Sequence, residues 1–252
     1  QLVLLGFTFI WSGFVRSGLG FGGAVLTLPF LLMIDNRPLI YLPIISIQLL
    51  FFASITVWQN NRKLVLAKHR AHGESSIDWR YLRYAVGIMI IPKLIGVFGL
   101  ILLPSELMSR IIFCIVGLYS LTYVLNKPFR SHSRSLDIVF LVVGGYASGT
   151  SLIGAPLIIA VFANHVDKHK LRDTLFALWI IFVGLKLAAF IYADIDLQLI
   201  HHLWLLPCAA IGHIIGLRLH QRMLEAETPL FFRLVGIALL LVSATGFYQS
   251  LV

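Results

Sequence analysis

The sequence SGLGFGGAVL at Ser17–Leu26 interrupts an apolar run that extends from Leu2 to Ile34. A straight helix of about 30 residues would measure roughly 45–50 Å, whereas the hydrocarbon core of a bilayer is about 30 Å thick. Glycines at the middle of such a run favour a turn of the backbone. We therefore predict a hairpin of two half-helices that enters the membrane and returns to the side it came from. Such a break is tolerated only where protein or a cavity buries it.

The same pattern occurs a second time in the chain. The run Ser135–Ala163 contains SGTSLIGAPL at Ser148–Leu157, and a shift of 131 residues aligns the two motifs without a gap. Both copies read Ser-Gly-x-x-x-x-Gly-Ala-x-Leu, and self-similarity at a fixed spacing indicates an internal repeat. The sequence predicts a single transmembrane domain, residues 1–252, with repeats at about 1–126 and 132–252.

Six further apolar runs approach the length of about 20 residues that a spanning helix needs. They are Pro38–Trp58, Tyr84–Leu103, Leu107–Leu125, Leu171–Ala193, Leu203–Leu217 and Leu230–Leu251. Each repeat would then contain one hairpin and three crossings. Because three is odd, the second copy would lie upside down relative to the first, as in many secondary transporters. The predicted fold is an all-α membrane protein, a helical bundle of two inverted repeats.

The composition and the charge distribution favour this topology. Hydrophobic residues make up 59% and charged residues 12% of the chain, compared with about 45–50% and 25% in soluble domains. If both long runs are hairpins, fifteen basic residues fall on the cytoplasmic side: Arg62, Lys63, Lys68, Arg70, Arg80, Arg83, Lys127, Arg130, Arg134, Lys168, Lys170, Arg172, Arg218, Arg222 and Arg233. Only Arg37 and Arg110 fall outside, as the positive-inside rule expects. The net charge of +9 therefore indicates membrane orientation, and we expect no nucleic-acid partner.

The duplicated motif resembles the signature of the sulfite exporter TauE/SafE family of bacterial permeases, and the resemblance covers essentially the whole chain. It implies transport of small sulfur-containing or carboxylated anions, such as sulfite, sulfoacetate or other organosulfonates, across the bacterial inner membrane. The second motif departs from the glycine-rich form, with Ser151 and Ile153 where the first has Gly20 and Gly22. This departure bears on which anion is the substrate more than on whether the chain resembles the family.

The hairpins suggest where an anion binds. The second half-helix of a hairpin begins near the midplane, and its free N–H groups and partial positive charge suit a sulfonate or carboxylate. The small residues that we predict to bind substrate are Ser17, Gly18, Gly20, Gly22, Gly23, Ser148, Gly149, Thr150, Ser151 and Gly154. The alternative is that these residues only let helices pack closely.

Three basic residues lie within apolar runs, namely Arg16, Lys93 and Lys186. A charge at the membrane centre costs about 2.5–3.5 kcal/mol on insertion scales and marks function by default. We add all three to the predicted substrate-binding residues. Lys186 lies about seven residues, roughly 10 Å, from the external end of its run, so snorkelling is its alternative explanation. His213 lies in another apolar run and is interpreted as a core histidine, although imidazole titrates near neutral pH.

The sequence thus predicts a secondary transporter that holds a small anion at the midplane between the hairpins and works by alternating access. Export fits the membrane potential, which favours expelling one negative charge by about 2.3 kcal/mol per 100 mV. Uptake would need a coupled cation or proton. An anion channel and an uptake permease remain alternatives.

Other classes of function lack support in the residues. An enzyme would need a nucleophile–base pair or a metal set, and neither Gly-x-Ser-x-Gly nor His-Glu-x-x-His occurs. His165 and His169 have the spacing of a metal pair but no third ligand nearby. We expect no enzyme activity, no metal and no cofactor, with lipid and the anion as partners and self-association left open. Since Gln1 lies inside an apolar stretch, we also expect native residues upstream.

Overall fold

The computed structural model describes residues 2–19, 23–66, 75–127, 129–225 and 229–250. This part of the chain forms ten α-helices and contains no strand. The helices are α1 Leu2–Leu19, α2 Leu28–Ile34, α3 Pro38–Leu66, α4 Trp79–Leu102, α5 Ser105–Val124, α6 Arg134–Ser151, α7 Ala155–His165, α8 Lys168–Tyr192, α9 Leu199–Glu225 and α10 Pro229–Gln249. The predicted all-α class is confirmed.

Within the described ranges, five helices are long and apolar enough to cross a membrane, namely α3, α4, α5, α8 and α9. The run Leu203–Leu217, short in the sequence, lies within the 27 residues of α9. The sixth predicted crossing corresponds to α10, whose apolar portion Arg233–Gln249 falls among the shorter apolar helices. Large apolar side chains such as Ile91, Leu118 and Leu241 are exposed, which is the arrangement expected when lipid is the solvent.

The second interrupted run forms a hairpin that returns to its starting side. The backbone turns at Leu152, which has a left-handed φ of 62°, and α7 then runs back beside α6. At the open end, His165 Nε2 and Asp137 Oδ2 are 2.8 Å apart. Asn164 Nδ2 donates to the carbonyl oxygen of Ser131 at 2.9 Å. The end of α7 therefore lies next to the beginning of α6, and His165, one of the two histidines with the spacing of a metal pair, is the last residue of α7.

The first interrupted run has the same arrangement with a shorter return helix. Residues 23–27 form turns between α1 and α2, and α2 has only 7 residues against 11 in α7. Leu4 and Phe7 near the start of α1 line one groove together with Met33 and Ile34 at the end of α2. Both predicted hairpins are therefore present.

The helices pack in pairs that link the two repeats. Helix α1 packs on α9, α4 on α6, α3 on α8, and α5 on α10. In chain order, the counterparts in the two repeats are α1 and α6, α3 and α8, α4 and α9, and α5 and α10. When each helix is exchanged for its counterpart, the α1/α9 pair becomes the α6/α4 pair. The α3/α8 and α5/α10 pairs map onto themselves. These are the pairings that two equivalent repeats require. The inverted orientation of the repeats stays a prediction.

Glycines allow close approach at the two equivalent helix crossings. A Cβ added to Gly149 would lie 2.9 Å from the Cα of Gly96, and one added to Gly216 would lie 2.9 Å from the amide nitrogen of Gly18. Such separations are shorter than real Cβ contacts, so only glycine lets these backbones touch. The crossings bring the inner ends of α1 and α6 to the centre of the bundle, beside α9 and α4.

Candidate anion site between the hairpins

Arg16 lies in the last turn of α1 and is only 5% exposed. Its guanidinium carbon lies 4.7 Å from the centroid of the Phe52 ring, which stabilises a cation without neutralising it. Within the described part of the chain, its Nε and Nη2 are buried and have no hydrogen-bond partner. Buried polar groups are normally paired because desolvation is costly. Arg16 therefore presents two donors that suit an anion.

A cavity of about 30 Å³ lies beside Arg16. A cavity needs roughly 10–15 Å³ to hold one water, so this space is small. Both hairpins contribute to its wall: Arg16, Gly23 and Ala24 from the first, and Ser148, Leu152 and Ala155 from the second. The two hairpins therefore meet at a cavity that contains a buried cation.

A second cavity, of about 10 Å³, continues from Arg16 toward the beginning of α8. It is lined by Arg16, Ser17, Phe52, Ala53, Thr56, Arg172, Phe176 and His213. His213 Nδ1 is hydrogen-bonded to Ser17 Oγ, and its ring stacks on Phe52 with the centroids 4.6 Å apart. The interpretation of His213 as a core histidine with a satisfied nitrogen agrees with this contact, and the structure identifies Ser17 as the partner.

Arg172 is a residue of this region that sequence reasoning missed. The charge distribution counted it only among the cytoplasmic basic residues, whereas α8 begins at Lys168 and includes Arg172 in its first turns. Among the described residues, its Nε and Nη2 are buried without a hydrogen-bond partner, and its guanidinium lies 5.4 Å from the Phe176 ring. The spacing of four residues between Arg172 and Phe176 is the one sequence signal that indicates such a stack on a helix.

Lys93 and Lys186 are both 0% exposed, so Lys186 does not snorkel to the surface. Lys93 Nζ donates to the carbonyl oxygen and Oγ of Ser148 at 2.9 and 3.0 Å. Lys186 Nζ donates to the carbonyl oxygens of Gly149 and Thr150 at 2.8 and 3.2 Å. The three carbonyl oxygens belong to the C-terminal end of α6, which carries partial negative charge, and that of Ser148 also accepts the Leu152 amide at 3.2 Å. The two lysines thus stabilise the tip of the second hairpin.

The remaining predicted residues are used mainly within the second hairpin. The hydroxyls of Thr150 and Ser151 both donate to the carbonyl oxygen of Ala147, at 3.1 and 2.9 Å. Gly154 precedes α7 and packs so closely on Gly144 that no Cβ would fit. Two further predicted positions, Gly20 and Gly22, lie outside the described residues.

Besides the groove of about 460 Å³ between α1 and α2, two other large cavities are lined by neither Arg16 nor Arg172. One, of about 490 Å³, includes Arg130 and His132. The other, of about 450 Å³, includes Asp35 and Arg37, which form an ion pair. No group of three His, Cys, Asp or Glu side chains in the described ranges is arranged to hold a metal ion. The two small cavities around Arg16 are lined by the arginines whose buried donors have no partner among the described residues, and such donors suit an anion.

Comparison with known families identifies this architecture. The family model described as Sulfite exporter TauE/SafE matches residues 4–246, nearly the whole chain, including both hairpins. The chain belongs to the sulfite exporter TauE/SafE family. This TauE/SafE protein is therefore a multi-pass membrane permease, in a family of transporters for sulfur-containing anions such as sulfite, not of enzymes. No curated protein and no solved structure matches the chain.

Proposed function

We propose that this TauE/SafE protein is a secondary transporter that exports a small sulfur-containing anion, sulfite or an organosulfonate such as sulfoacetate, across the bacterial inner membrane. The observation that carries the proposal is Arg16, a buried cation with unpartnered donors in a cavity bounded by both hairpins. Among the residues that the structure describes, no Asp or Glu lines that cavity. Its electrostatic potential therefore favours an anion.

The donors around the cavity fit a sulfonate or sulfite group. A guanidinium presents parallel N–H donors that bind two oxygens of one oxyanion, and Arg16 has Nε and Nη2 available. Ser148 lines the same cavity, and because its Oγ accepts a hydrogen bond from Lys93, its own proton is directed elsewhere. Helix α7 begins at Ala155 on the cavity wall, so its first N–H groups add positive potential.

The size of the cavity favours a compact anion. About 30 Å³ is room for roughly two waters, so the hairpins must separate for substrate to enter or leave. A sulfite-sized oxyanion requires less separation than an organosulfonate with a carbon chain. This argument ranks sulfite above sulfoacetate as the substrate.

Alternating access requires two bodies that move around a central site. The contacts of α1 with α9 and of α4 with α6 join each hairpin to a long helix of the other repeat. We infer that the repeats, in inverted orientation, rock so that the cavity opens first to one side and then to the other. The membrane potential favours outward movement of negative charge by about 2.3 kcal/mol per charge per 100 mV.

The test is transport by purified protein in liposomes. Vesicles loaded with unlabelled sulfite should accumulate radiolabelled sulfite by counterflow, and sulfoacetate in the lumen should support slower exchange. Counterflow is a property of carriers, so single-channel current steps in planar bilayers without counterflow would instead identify an anion channel. Vesicles that show no counterflow, together with bilayers that show no single-channel current, would overturn the proposal.

A further inference from the structure

The two hairpins carry equivalent side-chain clusters with one difference. Ser17 and Ser148 occupy the same position of the repeated motif. Ser148 Oγ binds Lys93 of α4, the helix packed on α6, and Ser17 Oγ binds His213 of α9, the helix packed on α1. His213 therefore takes, in the first hairpin, the place that Lys93 takes in the second.

A phenylalanine on the third helix of each cluster supports this equivalence. Lys93 Nζ lies 5.2 Å from the centroid of the Phe182 ring on α8, and the His213 ring lies 4.6 Å from that of Phe52 on α3. Phe52 and Phe182 are 130 residues apart, close to the shift that relates the two motifs. Three helices thus supply matching partners, and only the basic group differs in kind.

The groups that face His213 are cationic or neutral. Helix α1 contributes Arg16 and the hydroxyl of Ser17, α8 contributes Arg172, and the described side chains of α3 that line this cavity, Phe52, Ala53 and Thr56, are uncharged. Asp173, next to Arg172, accepts a hydrogen bond from Asn60 Nδ2 at 2.9 Å and does not line the cavity. On α9 itself, the nearest charged residue among those described is Arg218, which is exposed.

We infer that His213 is the proton-binding residue of the transport cycle, and that one proton binds together with a doubly charged anion such as sulfite, so that net negative charge still moves with the potential. This inference rests on the proposed function. Two arginines repel a third positive charge, so the imidazole is neutral while the cavity holds no anion. A bound anion offsets that repulsion and favours the imidazolium. By linkage, protonation of His213 then strengthens anion binding by the same factor.

The hydrogen bond to Ser17 gives this linkage a structural route. In the neutral imidazole with its proton on Nε2, Nδ1 accepts the hydroxyl proton of Ser17. After protonation, Nδ1–H donates to Ser17 Oγ, and the Ser17 proton turns toward the cavity, where it can bind an anion oxygen. Ser148 is held in that donor state permanently by Lys93. Protonation therefore makes the first hairpin resemble the second.

The test is sulfite transport in liposomes between about pH 5.5 and about pH 8.5, the range in which histidine titrates. We expect the apparent affinity of the native protein to rise as pH falls, by at most about tenfold per pH unit for one linked proton. His213→Gln should lose this dependence, and His213→Lys should keep high affinity at every pH. Sulfite also takes up a proton near neutral pH, but that effect is common to all variants.

Two controls separate this inference from the proposed function. His169→Gln changes an exposed histidine and should retain the native pH profile. A pH-sensitive dye in the lumen should report proton movement with sulfite for the native protein but not for His213→Gln. If His213→Gln transported sulfite with the native pH dependence and the native proton movement, the role of His213 would be overturned, but the proposed function would stand. Absence of flux from the native protein at every pH would overturn the proposed function together with it.

Discussion

The two hairpins share a sequence motif and an arrangement of two packed half-helices, yet they use their cations differently. In the second hairpin, Lys93 and Lys186 are bound to the carbonyl oxygens at the end of α6. In the first, Arg16 belongs to the hairpin helix itself, and its Nε and Nη2 have no partner among the described residues. The comparison teaches that a buried positive charge can either stabilise a helix end or remain available to a ligand. Only its contacts distinguish the two.

The hairpins also differ in what their serines bind. Lysine beside Ser148 offers a donor that is part of the folded arrangement, whereas histidine beside Ser17 changes between acceptor and donor with pH. The hydrogen bond to Ser148 therefore keeps one direction at every pH, whereas the direction of the hydrogen bond to Ser17 changes with pH. Substitutions that exchange or remove these groups test the comparison.

Loss of the unpartnered arginine should have the largest effect. Arg16→Gln removes the charge that faces the cavity, and we expect sulfite affinity to fall on the order of 100-fold, since a hydrogen bond to a charged group contributes about 1.5–3 kcal/mol. Equilibrium binding to purified protein measures the change. Arg37→Gln is the matched control, because Arg37 is exposed and paired with Asp35. Equal affinities for the two variants would remove Arg16 from the site.

Loss of a lysine in the second hairpin should act indirectly. Lys93→Met removes one of the two donors to the carbonyl oxygen of Ser148, which keeps only the Leu152 amide, and frees the serine hydroxyl to turn away from the cavity. We expect sulfite affinity to fall on the order of 30-fold, together with a lower melting temperature. Lys127→Met, which changes an exposed lysine, should alter neither quantity. Lower affinity without any loss of stability would mean that Lys93 touches the anion directly.

A methyl group at the crossing of α4 and α6 should affect stability more than binding. In Gly149→Ala, the new Cβ would press on the carbonyl oxygen of Lys93 and on Gly96, and overpacking of this kind costs about 1–3 kcal/mol. Thermal unfolding in detergent should show a melting temperature lower by several degrees. Gly87→Ala is the control, because a Cβ there meets nothing within 4 Å. An unchanged melting temperature for Gly149→Ala would show that the backbones are farther apart.

The contact between Asp137 and His165 at the open end of the second hairpin should contribute least to stability. Asp137→Asn weakens the contact with His165, whose side chain is 39% exposed, so solvent screens the pair and its contribution is below about 1 kcal/mol. We expect a melting temperature within a degree or two of the native value. A much larger fall would indicate that this contact holds α7 against α6.

Much of the architecture was predictable because the bilayer imposes constraints that act along the chain. The lengths of the apolar runs and the glycine breaks indicated two hairpins, and both are present. The least predictable element was α8, which begins at Lys168, three residues before its apolar run begins at Leu171, and which places Arg172 on the wall of a cavity shared with Arg16. Charge counting places a residue near a membrane face but says nothing about the direction of its side chain.

The candidate site was predictable in part. Arg16, Ser17, Gly23 and Ser148 were singled out by composition and spacing, and they line the two small cavities. The bonds of Lys186 were not predictable, since a lysine near a helix end can also extend to the interface. Its contact with Gly149 spans 37 residues of sequence and depends on how α8 is rotated against α6.

The sequence by itself determined that this is a membrane protein, that it contains two interrupted hairpins, and that its motif is duplicated. These features could be read from the sequence because the lengths of apolar runs and the positions of glycines are local properties. Tertiary structure alone decided which polar groups meet. The bond between Ser17 and His213 joins residues 196 positions apart, and that between Lys93 and Ser148 joins residues 55 apart. Such contacts depend on the rotation and depth of packed helices, which arise from the fit of many side chains at once.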